Sequence, residues 1–171
     1  MKGYVQVYTG EGKGKTTAAF GLMLRATGAG LHVYIAQFVK GMEYSELEAI
    51  EKLSDLVTIK QYGSGCFIRK APSQKDIRLA REGYQKVKQI IQAGKHELVI
   101  LDEANIAIHH NLFSIEELLE LIDIRPEHVE LVITGRNAHE KLLKKADLVT
   151  EMREVKHYYK EGVLARTGIE K

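Results

Sequence analysis

A glycine-rich loop, residues 9–17 with the sequence TGEGKGKTT, constrains this chain more than any other stretch. It follows an alternating apolar run at residues 4–8 that is typical of a strand, and it precedes an apolar run at residues 18–26 that is typical of a helix. A strand, a glycine-rich loop, Gly-Lys-Thr and a helix in this order are the context of a phosphate-binding loop. The sequence therefore predicts that nucleotide binding starts at the first strand.

Each residue type in this loop has a chemical reason. Glycines allow backbone dihedrals that are closed to other residues and bring amide groups close to phosphate oxygens, while the following helix directs its positive N-terminus at the same anion. Lys15 can reach the terminal phosphates, and the Thr16 hydroxyl can bind Mg²⁺. The loop residues predicted to bind the nucleotide are Gly10, Glu11, Gly12, Lys13, Gly14, Lys15, Thr16 and Thr17.

The loop departs from the usual pattern at its start, where Thr9 stands in place of the first glycine and Gly10 comes one position late. An ordinary glycine-rich turn that happens to contain Lys-Thr is the structural alternative. The flanking strand and helix favour the phosphate-binding interpretation.

The second informative stretch is an apolar run at residues 97–101 that ends in Asp102 and Glu103. A short apolar run of this kind predicts a buried parallel strand that delivers carboxylates at its C-terminal edge. In phosphate-loop proteins an acid at that position holds Mg²⁺ directly or through water, so Thr16, Asp102 and Glu103 are the predicted metal site. The alternative is an acid that caps the next helix.

The rest of the chain alternates between strand and helix patterns. This alternation predicts an α/β fold, a three-layer sandwich with a mostly parallel sheet, in a single domain over residues 1–171. A long helix is predicted at residues 74–93, ended by Gly94, and a capping box is predicted at Ser114 and Glu117. Further strands are predicted at residues 31–39, 56–62, 129–134 and 148–153, and short helices at 45–53 and 139–145. Residues 63–73 are predicted to form a long loop, and long loops in compact domains tend to be functional. Residues 156–166 are expected either to add a strand or to close over the site.

Composition excludes several classes of protein. A net charge of +2 is too small to argue for a nucleic-acid partner, and neither a bilayer-spanning run nor a signal-peptide apolar region is found in the sequence. The single cysteine, Cys66, excludes an internal disulfide framework and a cysteine zinc cluster. The cytoplasm is the expected location.

With these motifs in hand, the chain resembles the ATP:corrinoid adenosyltransferases of the phosphate-loop type. The resemblance covers nearly the whole chain and rests on an ordered set of segments rather than on one motif. These segments are residues 9–20, 37–41, 101–103, 134–138, 146–152, 156–157 and 168–170. Glu11 stands where the family commonly has Asn, and Cys66-Phe67-Ile68 stands where its corrinoid-contacting loop usually has Phe-Thr-Trp.

The resemblance implies a phosphate-loop NTPase-like (RecA-like) fold and transfer of the 5′-deoxyadenosyl group of ATP to Co(I) of a corrinoid, with release of triphosphate. It also implies a homodimer, and a cobalt-reducing flavoprotein is one candidate for the supply of Co(I). Lys15 and Glu103 are the catalytic candidates, with Mg²⁺ accompanying ATP. Arg25, which matches an arginine of the family's first helix, contacts ATP or is solvated. Arg136 binds phosphate or pairs with an acid, and Phe67 contacts the corrinoid or packs the base of its loop.

Two other functions stay open at this point. One is a phosphate-loop ATPase or small-molecule kinase in which Glu103 orients water or an acceptor hydroxyl. The other is a nucleotide-binding regulatory module that performs no chemistry. The phosphate loop fits all three functions, and the ordered set of segments outside the loop favours the transferase.

Overall fold

The computed structural model describes residues 2–42, 44–65, 68 and 71–170. The strands are β1 (Val5–Thr9), β2 (Val33–Lys40), β3 (Val57–Gly65), β4 (Leu98–Asp102), β5 (Glu130–Thr134) and β6 (Leu148–Glu151). The helices are α1 (Lys15–Gly28), α2 (Ser45–Glu51), α3 (Gln74–Ala93), α4 (Ala104–His109), α5 (Ile115–Asp123) and α6 (Glu140–Lys145), and a short 3-10 helix follows at Tyr158–Glu161.

The six strands form one parallel sheet in the order β3-β2-β4-β5-β1-β6. The predicted three-layer α/β sandwich is therefore confirmed, and its architecture is phosphate-loop NTPase-like. All strands end at the same edge of the sheet because they are parallel. Since β5 lies between β1 and β4, the glycine loop and the Asp102 strand end are about 10 Å apart, two strand spacings.

The central strands are apolar on both faces because helices cover both sides of the sheet. On one side Met23 of α1 and Ile50 of α2 pack in a cluster with Ile35. On the other side Tyr84 of α3 packs in a second cluster with Phe38. The alternate residues of β2 enter the two clusters in turn, so the strand is anchored from both sides.

Several boundaries differ from the sequence predictions. Helix α1 begins at Lys15, directly from the loop, because Gly14 takes a left-handed conformation with φ 117° as its N-cap. Strand β6 ends at Glu151, since Met152 then packs against the glycine loop. The C-terminal segment forms a 3-10 helix rather than a strand, and helix α4 was not predicted.

The long helix α3 and its end at Gly94, and the capping box at Ser114 and Glu117, are confirmed. None of the helices in the described part of the chain combines the length and the apolar character needed to cross a membrane. The single-domain interpretation stays a prediction.

Candidate active site

The phosphate loop wraps around its own lysine. The Lys15 ammonium donates to the carbonyl oxygens of Gly10 and Gly12, at 2.6 Å in each case, and the side chain is buried. Burial, and then the charge of Arg136, lower the pKa of Lys15 and together outweigh the stabilising charges of Glu103 and Glu11. The cation is thus fixed beside the N-terminus of α1, where an anionic ligand gains from both charges.

Two glycines of the loop serve a close backbone contact as well as access for phosphate. The amide of Gly12 donates to the carbonyl of Met152 at 2.6 Å. A Cβ atom at Gly10 would lie 2.5 Å from that same oxygen, and one at Gly12 would lie 2.7 Å from it. Gly14 differs, because a Cβ atom there would meet nothing closer than the Met152 sulfur at 3.4 Å, so only its positive φ, which Gly10 shares, favours glycine. The segment after β6 therefore shapes the loop from behind.

Asp102 is the centre of a buried hydrogen-bond network. Its Oδ1 atom accepts from the hydroxyls of Thr16 and Thr134, each at 2.8 Å, and its Oδ2 atom accepts from the Lys40 ammonium at 2.7 Å and the Gln37 amide at 3.2 Å. The Asp102 side chain is fully buried. The network joins the start of α1 to the ends of β2, β4 and β5. It therefore connects the glycine loop to the end of β4, although β5 lies between β1 and β4.

Glu103 adopts a left-handed conformation with φ 58° and forms the N-cap of α4. Its amide donates to the Thr134 hydroxyl at 3.0 Å, and its carboxyl lies against Gly135. Burial raises the pKa of Glu103, and the neighbouring Asp102 raises it further, while Lys40, Lys15 and Arg136 lower it in that order. The carboxyl therefore faces several cations at the same edge of the sheet as the loop.

Arg136 meets Glu11 across the mouth of the loop. Their ion pair has a distance of 3.3 Å between Nε and Oε2, and both side chains are more than half exposed, at 54% and 65%. Asn105 supports this region from below, because its amide donates to the Gly135 carbonyl at 3.0 Å. The acid that pairs with Arg136 thus belongs to the phosphate loop itself.

The C-terminal segment holds Lys13. Its ammonium donates to the Tyr158 hydroxyl at 3.1 Å, to the Ile169 carbonyl at 3.3 Å and to the Glu170 carboxylate at 2.8 Å. The last residues of the described chain therefore contact its first loop, while closure of residues 156–166 over the site stays a prediction. The positive charge of Lys13 in the glycine loop is thus paired with the C-terminal segment.

The structure does not bring every predicted residue to this centre. Thr17 lies at the centre, exposed beside Thr16 in the first turn of α1, whereas the exposed Arg25 lies in the last turn of that helix, about 15 Å of helical rise from Lys15. Phe67 lies outside the described residues, and its corrinoid contact stays a prediction.

Sequence reasoning missed the roles of Lys40, Gln37 and Thr134, although all three lie in segments that carried the family resemblance. For Gln37 and Thr134 a signal was available, since polar residues near the ends of apolar strands face the ligand edge. Lys40 gave no such signal, because strict strand alternation would direct it with Phe38 towards the buried apolar cluster.

The oxygen donors of the site fit Mg²⁺. Thr16 offers a hydroxyl, and Asp102 and Glu103 offer carboxylates, which are ligands that this hard cation prefers. Within residues 2–42, 44–65, 68 and 71–170, no group of three or more His, Cys, Asp or Glu side chains could hold a metal by itself. That is the usual situation for Mg²⁺, which takes one or two carboxylates together with substrate phosphates and water.

The parallel sheet, the lysine-centred loop and the acid-bearing strand end define a protein of the phosphate-loop NTPase-like class. Within that class the chain belongs to the ATP:corrinoid adenosyltransferase family BtuR/CobO/CobP, whose family model matches residues 1–170. The family resemblance drawn from the motifs is thereby confirmed.

The chain is similar to several proteins named corrinoid adenosyltransferase. It is 37% identical to one from Sinorhizobium sp, over 99% of this chain and 80% of the relative. It is 36% identical to one from Pseudomonas aeruginosa, over 99% of this chain and 84% of the relative. The protein from Escherichia coli is 35% identical, over 99% of this chain and 86% of the relative.

Proposed function

We propose that this protein transfers the 5′-deoxyadenosyl group of ATP to Co(I) of a corrinoid and releases triphosphate. Membership of the ATP:corrinoid adenosyltransferase family supports this reaction over ATP hydrolysis or regulatory nucleotide binding. The observation that carries the proposal is the Asp102 network, because it couples the phosphate loop through Thr16 to the strand end that bears Glu103. Such a centre binds a triphosphate and leaves the nucleoside end free for a second substrate.

The chemistry is a substitution at carbon. The electron pair of Co(I) attacks C5′ of the ribose, a cobalt–carbon bond forms, and the C5′–O bond breaks with its electron pair on the triphosphate. Cobalt is formally oxidised from Co(I) to Co(III). No side chain needs to take a proton, so the protein has two tasks: it stabilises charge on the leaving group and aligns C5′ with cobalt.

The loop residues perform the first task. Lys15 and the loop amides bind the triphosphate, with Gly10 through Thr17 forming the cradle. Mg²⁺, when bound, would neutralise phosphate charge and would be held by Thr16, Asp102 and Glu103. Arg136 leaves its exposed ion pair with Glu11 and binds phosphate, since a charge pair in solvent is cheap to break.

Further parts of the proposal concern partners and location. The protein acts as a homodimer in the cytoplasm, and a flavoprotein is the proposed source of electrons for cobalt. Phe67 is the proposed aromatic contact to the corrinoid, and Arg25 is a proposed ATP contact. These statements rest on the family resemblance.

Product identity tests the reaction. The protein is incubated with ATP, Mg²⁺ and chemically reduced cobalamin, adenosylcobalamin is followed by absorbance, and the phosphate products are separated by ion-exchange chromatography. Equal amounts of adenosylcobalamin and triphosphate are expected. ADP and phosphate without adenosylcobalamin would assign the protein to the ATPases or kinases, and no product at all would leave only nucleotide binding.

A further inference from the structure

Lys40 owes its position to an irregularity in β2. Val33 and Ile35 belong to the cluster on the α1 side of the sheet, and Tyr34, Ala36 and Phe38 belong to the cluster on the other side. Val39 breaks this alternation, because it joins the same cluster as Phe38 and has a φ of 64°. After this break the side chain of Lys40 lies on the same face of the sheet as Gln37, and both side chains contact Asp102.

The neighbouring strand is built to accept this irregularity. Phe38 pairs with Tyr62, whereas Lys40 pairs with Gly65, so the register between β2 and β3 shifts at Val39. A Cβ atom at Gly63 would lie 2.3 Å from the Val39 carbonyl carbon and 2.5 Å from the Lys40 nitrogen. A positive φ is a genuine outlier for a β-branched residue, and such irregularities commonly re-aim a side chain beside an active site.

The Lys40 ammonium lies among the proposed metal ligands. It is 2.7 Å from Asp102 Oδ2 and 3.4 Å from the Thr16 hydroxyl, and its side chain is only 13% exposed. Its charge also acts on Glu103. A divalent cation between Thr16 and Asp102 would need oxygen distances of about 2.0–2.1 Å. A metal held by Asp102 Oδ2 would take the oxygen that the ammonium now uses, and a metal held by Thr16 would lie close to the charge of that ammonium.

Asp102 has no spare lone pair in this arrangement. Among the described residues four donors serve its two oxygens, and a carboxylate offers about four lone-pair sites. Gln37 and Thr134 are fully buried, whereas Lys40 sits on a long stem at the end of its strand. Lys40 is therefore the donor that can leave Asp102 at the least structural cost.

We propose that Lys40 is a resident counter-cation of the metal site, which holds Asp102 in the nucleotide-free protein and is exchanged for Mg²⁺ when the metal binds with ATP. The proposal rests on the Mg²⁺ site of the proposed function. It makes Lys40 a positioning residue, and it explains why the chain bends a buried strand at Val39 to bring a lysine there. The direct consequence is that a divalent cation alone binds the nucleotide-free protein weakly.

The test measures metal binding without nucleotide. Mn²⁺ is titrated into the nucleotide-free protein, and free Mn²⁺ is counted by electron paramagnetic resonance. Lys40→Gln keeps a donor for Asp102 but removes the charge, so we expect its Mn²⁺ affinity to rise at least about tenfold over wild type. Lys40→Arg keeps the charge and should bind Mn²⁺ as weakly as wild type. Lys60→Gln, a matched loss of an exposed lysine on β3, is the control and should also behave as wild type.

Two outcomes overturn the inference, and they differ from a failure of the metal site itself. Equal Mn²⁺ affinity in Lys40→Gln and wild type, including no detectable binding to either, overturns it. A gain of affinity in Lys60→Gln as large as that in Lys40→Gln also overturns it, because the effect would then be one of net charge. The metal site is tested separately by the Mg²⁺ dependence of ATP binding: if Thr16→Ala and Asp102→Asn leave that dependence unchanged, the site is misassigned whatever Lys40 does.

Discussion

Lys15 illustrates how much of the site is organised before any ligand arrives. Its ammonium is buried and bonded to two carbonyls of its own loop, Gly10 and Gly12. The side chain therefore stabilises the loop as well as offering charge to phosphate. Removal of the side chain therefore costs the loop two hydrogen bonds as well as a charge.

The first prediction is that Lys15→Ala lowers adenosyl transfer by about a hundredfold or more, the usual loss when a group that stabilises leaving-group charge is removed. The free energy of unfolding should fall by about 1–3 kcal/mol, because two charge-assisted hydrogen bonds are lost. Transfer rates and denaturant unfolding measure the two effects. Lys95→Ala, which removes an exposed lysine after α3, is the control. Near-normal transfer by Lys15→Ala would contradict the phosphate-loop assignment.

The second prediction concerns Glu103, whose pKa is raised by burial and by the adjacent Asp102. A raised carboxyl pKa means that folding destabilises the ionised form relative to the protonated form, so the charge of Glu103 lowers the stability of the folded protein above its ordinary pKa. Glu103→Gln keeps the shape without the charge, so Tm should rise by roughly 2–4 °C, the shift that about 1 kcal/mol gives in a protein of this size. Transfer activity should fall at the same time. A variant with lower Tm and full activity would show that the carboxylate is structural.

At the scale of elements, the end of β2 contains a strained residue that brings Lys40 to the site. The left-handed conformation of Val39 costs on the order of 1–3 kcal/mol and persists because the packing of two strands enforces it. Gly63 is part of that packing, since it allows the β3 backbone to approach Val39. The glycine is thus a close-contact residue inside β3, although the sequence predicted that it begins the loop at residues 63–73.

The third prediction tests this contact. Gly63→Ala places a methyl group within 2.3 Å of the β2 backbone, so the free energy of unfolding should fall by about 1–3 kcal/mol, the usual cost of overpacking. Gly65→Ala is the matched control, because a Cβ atom there meets nothing within 4 Å. Denaturant unfolding of both variants measures the difference. Equal stabilities would mean that the two strands do not approach as closely as described.

At the scale of the whole molecule, the two ends of the chain meet at the phosphate loop. Strand β6 pairs with β1, and the segment after it contacts the loop through Met152 and Glu170. The Glu170 carboxylate joins Lys13 and Arg166 and also accepts from Tyr158. The loop is thus supported by residues that are more than a hundred positions away along the chain.

The fourth prediction is that Glu170→Gln loosens this support. Hydrogen exchange at the Gly12 amide should accelerate, and ATP affinity should fall a few-fold, because Lys13 loses a charged partner and the contact of the segment with the loop weakens. Exchange by mass spectrometry and ATP titration measure the two effects. Glu161→Gln breaks an exposed ion pair with Lys156 inside the same segment and is the control. An unchanged exchange rate at the Gly12 amide would show that the C-terminal segment does not stabilise the loop.

The pH dependence of this contact follows from the sign of the pKa shift. Hydrogen bonds from Arg166, then Lys13 and Tyr158, hold the pKa of Glu170 well below its usual range. A depressed carboxyl pKa gives stability that is present above the ordinary value and is lost only as pH falls through the lower, folded-state value. The protection factor of the Gly12 amide, its exchange rate relative to an unfolded amide at the same pH, should therefore persist in mild acid, where ordinary glutamates are already protonated.

The sequence by itself determined the elements with strong local signals. The glycine loop, the apolar strand that ends in Asp102 and the capped helices were predictable, because periodicity, turn residues and capping residues act over a few positions. The ordered motifs also determined the family. Helix α4 escaped because it is only six residues long and follows its strand without a loop.

Only the tertiary structure determined which residues contact one another at the edge of the sheet that carries the site. The insertion of β5 between β1 and β4, the contact of Met152 with the loop and the arrival of Lys40 at Asp102 depend on strand order and on one backbone outlier. Strand order is set by the packing of the whole sheet, and a positive φ at Val39 contradicts the local preference of a β-branched residue. A prediction from local sequence follows that preference, and it therefore places the Lys40 side chain on the opposite face of the sheet from Asp102.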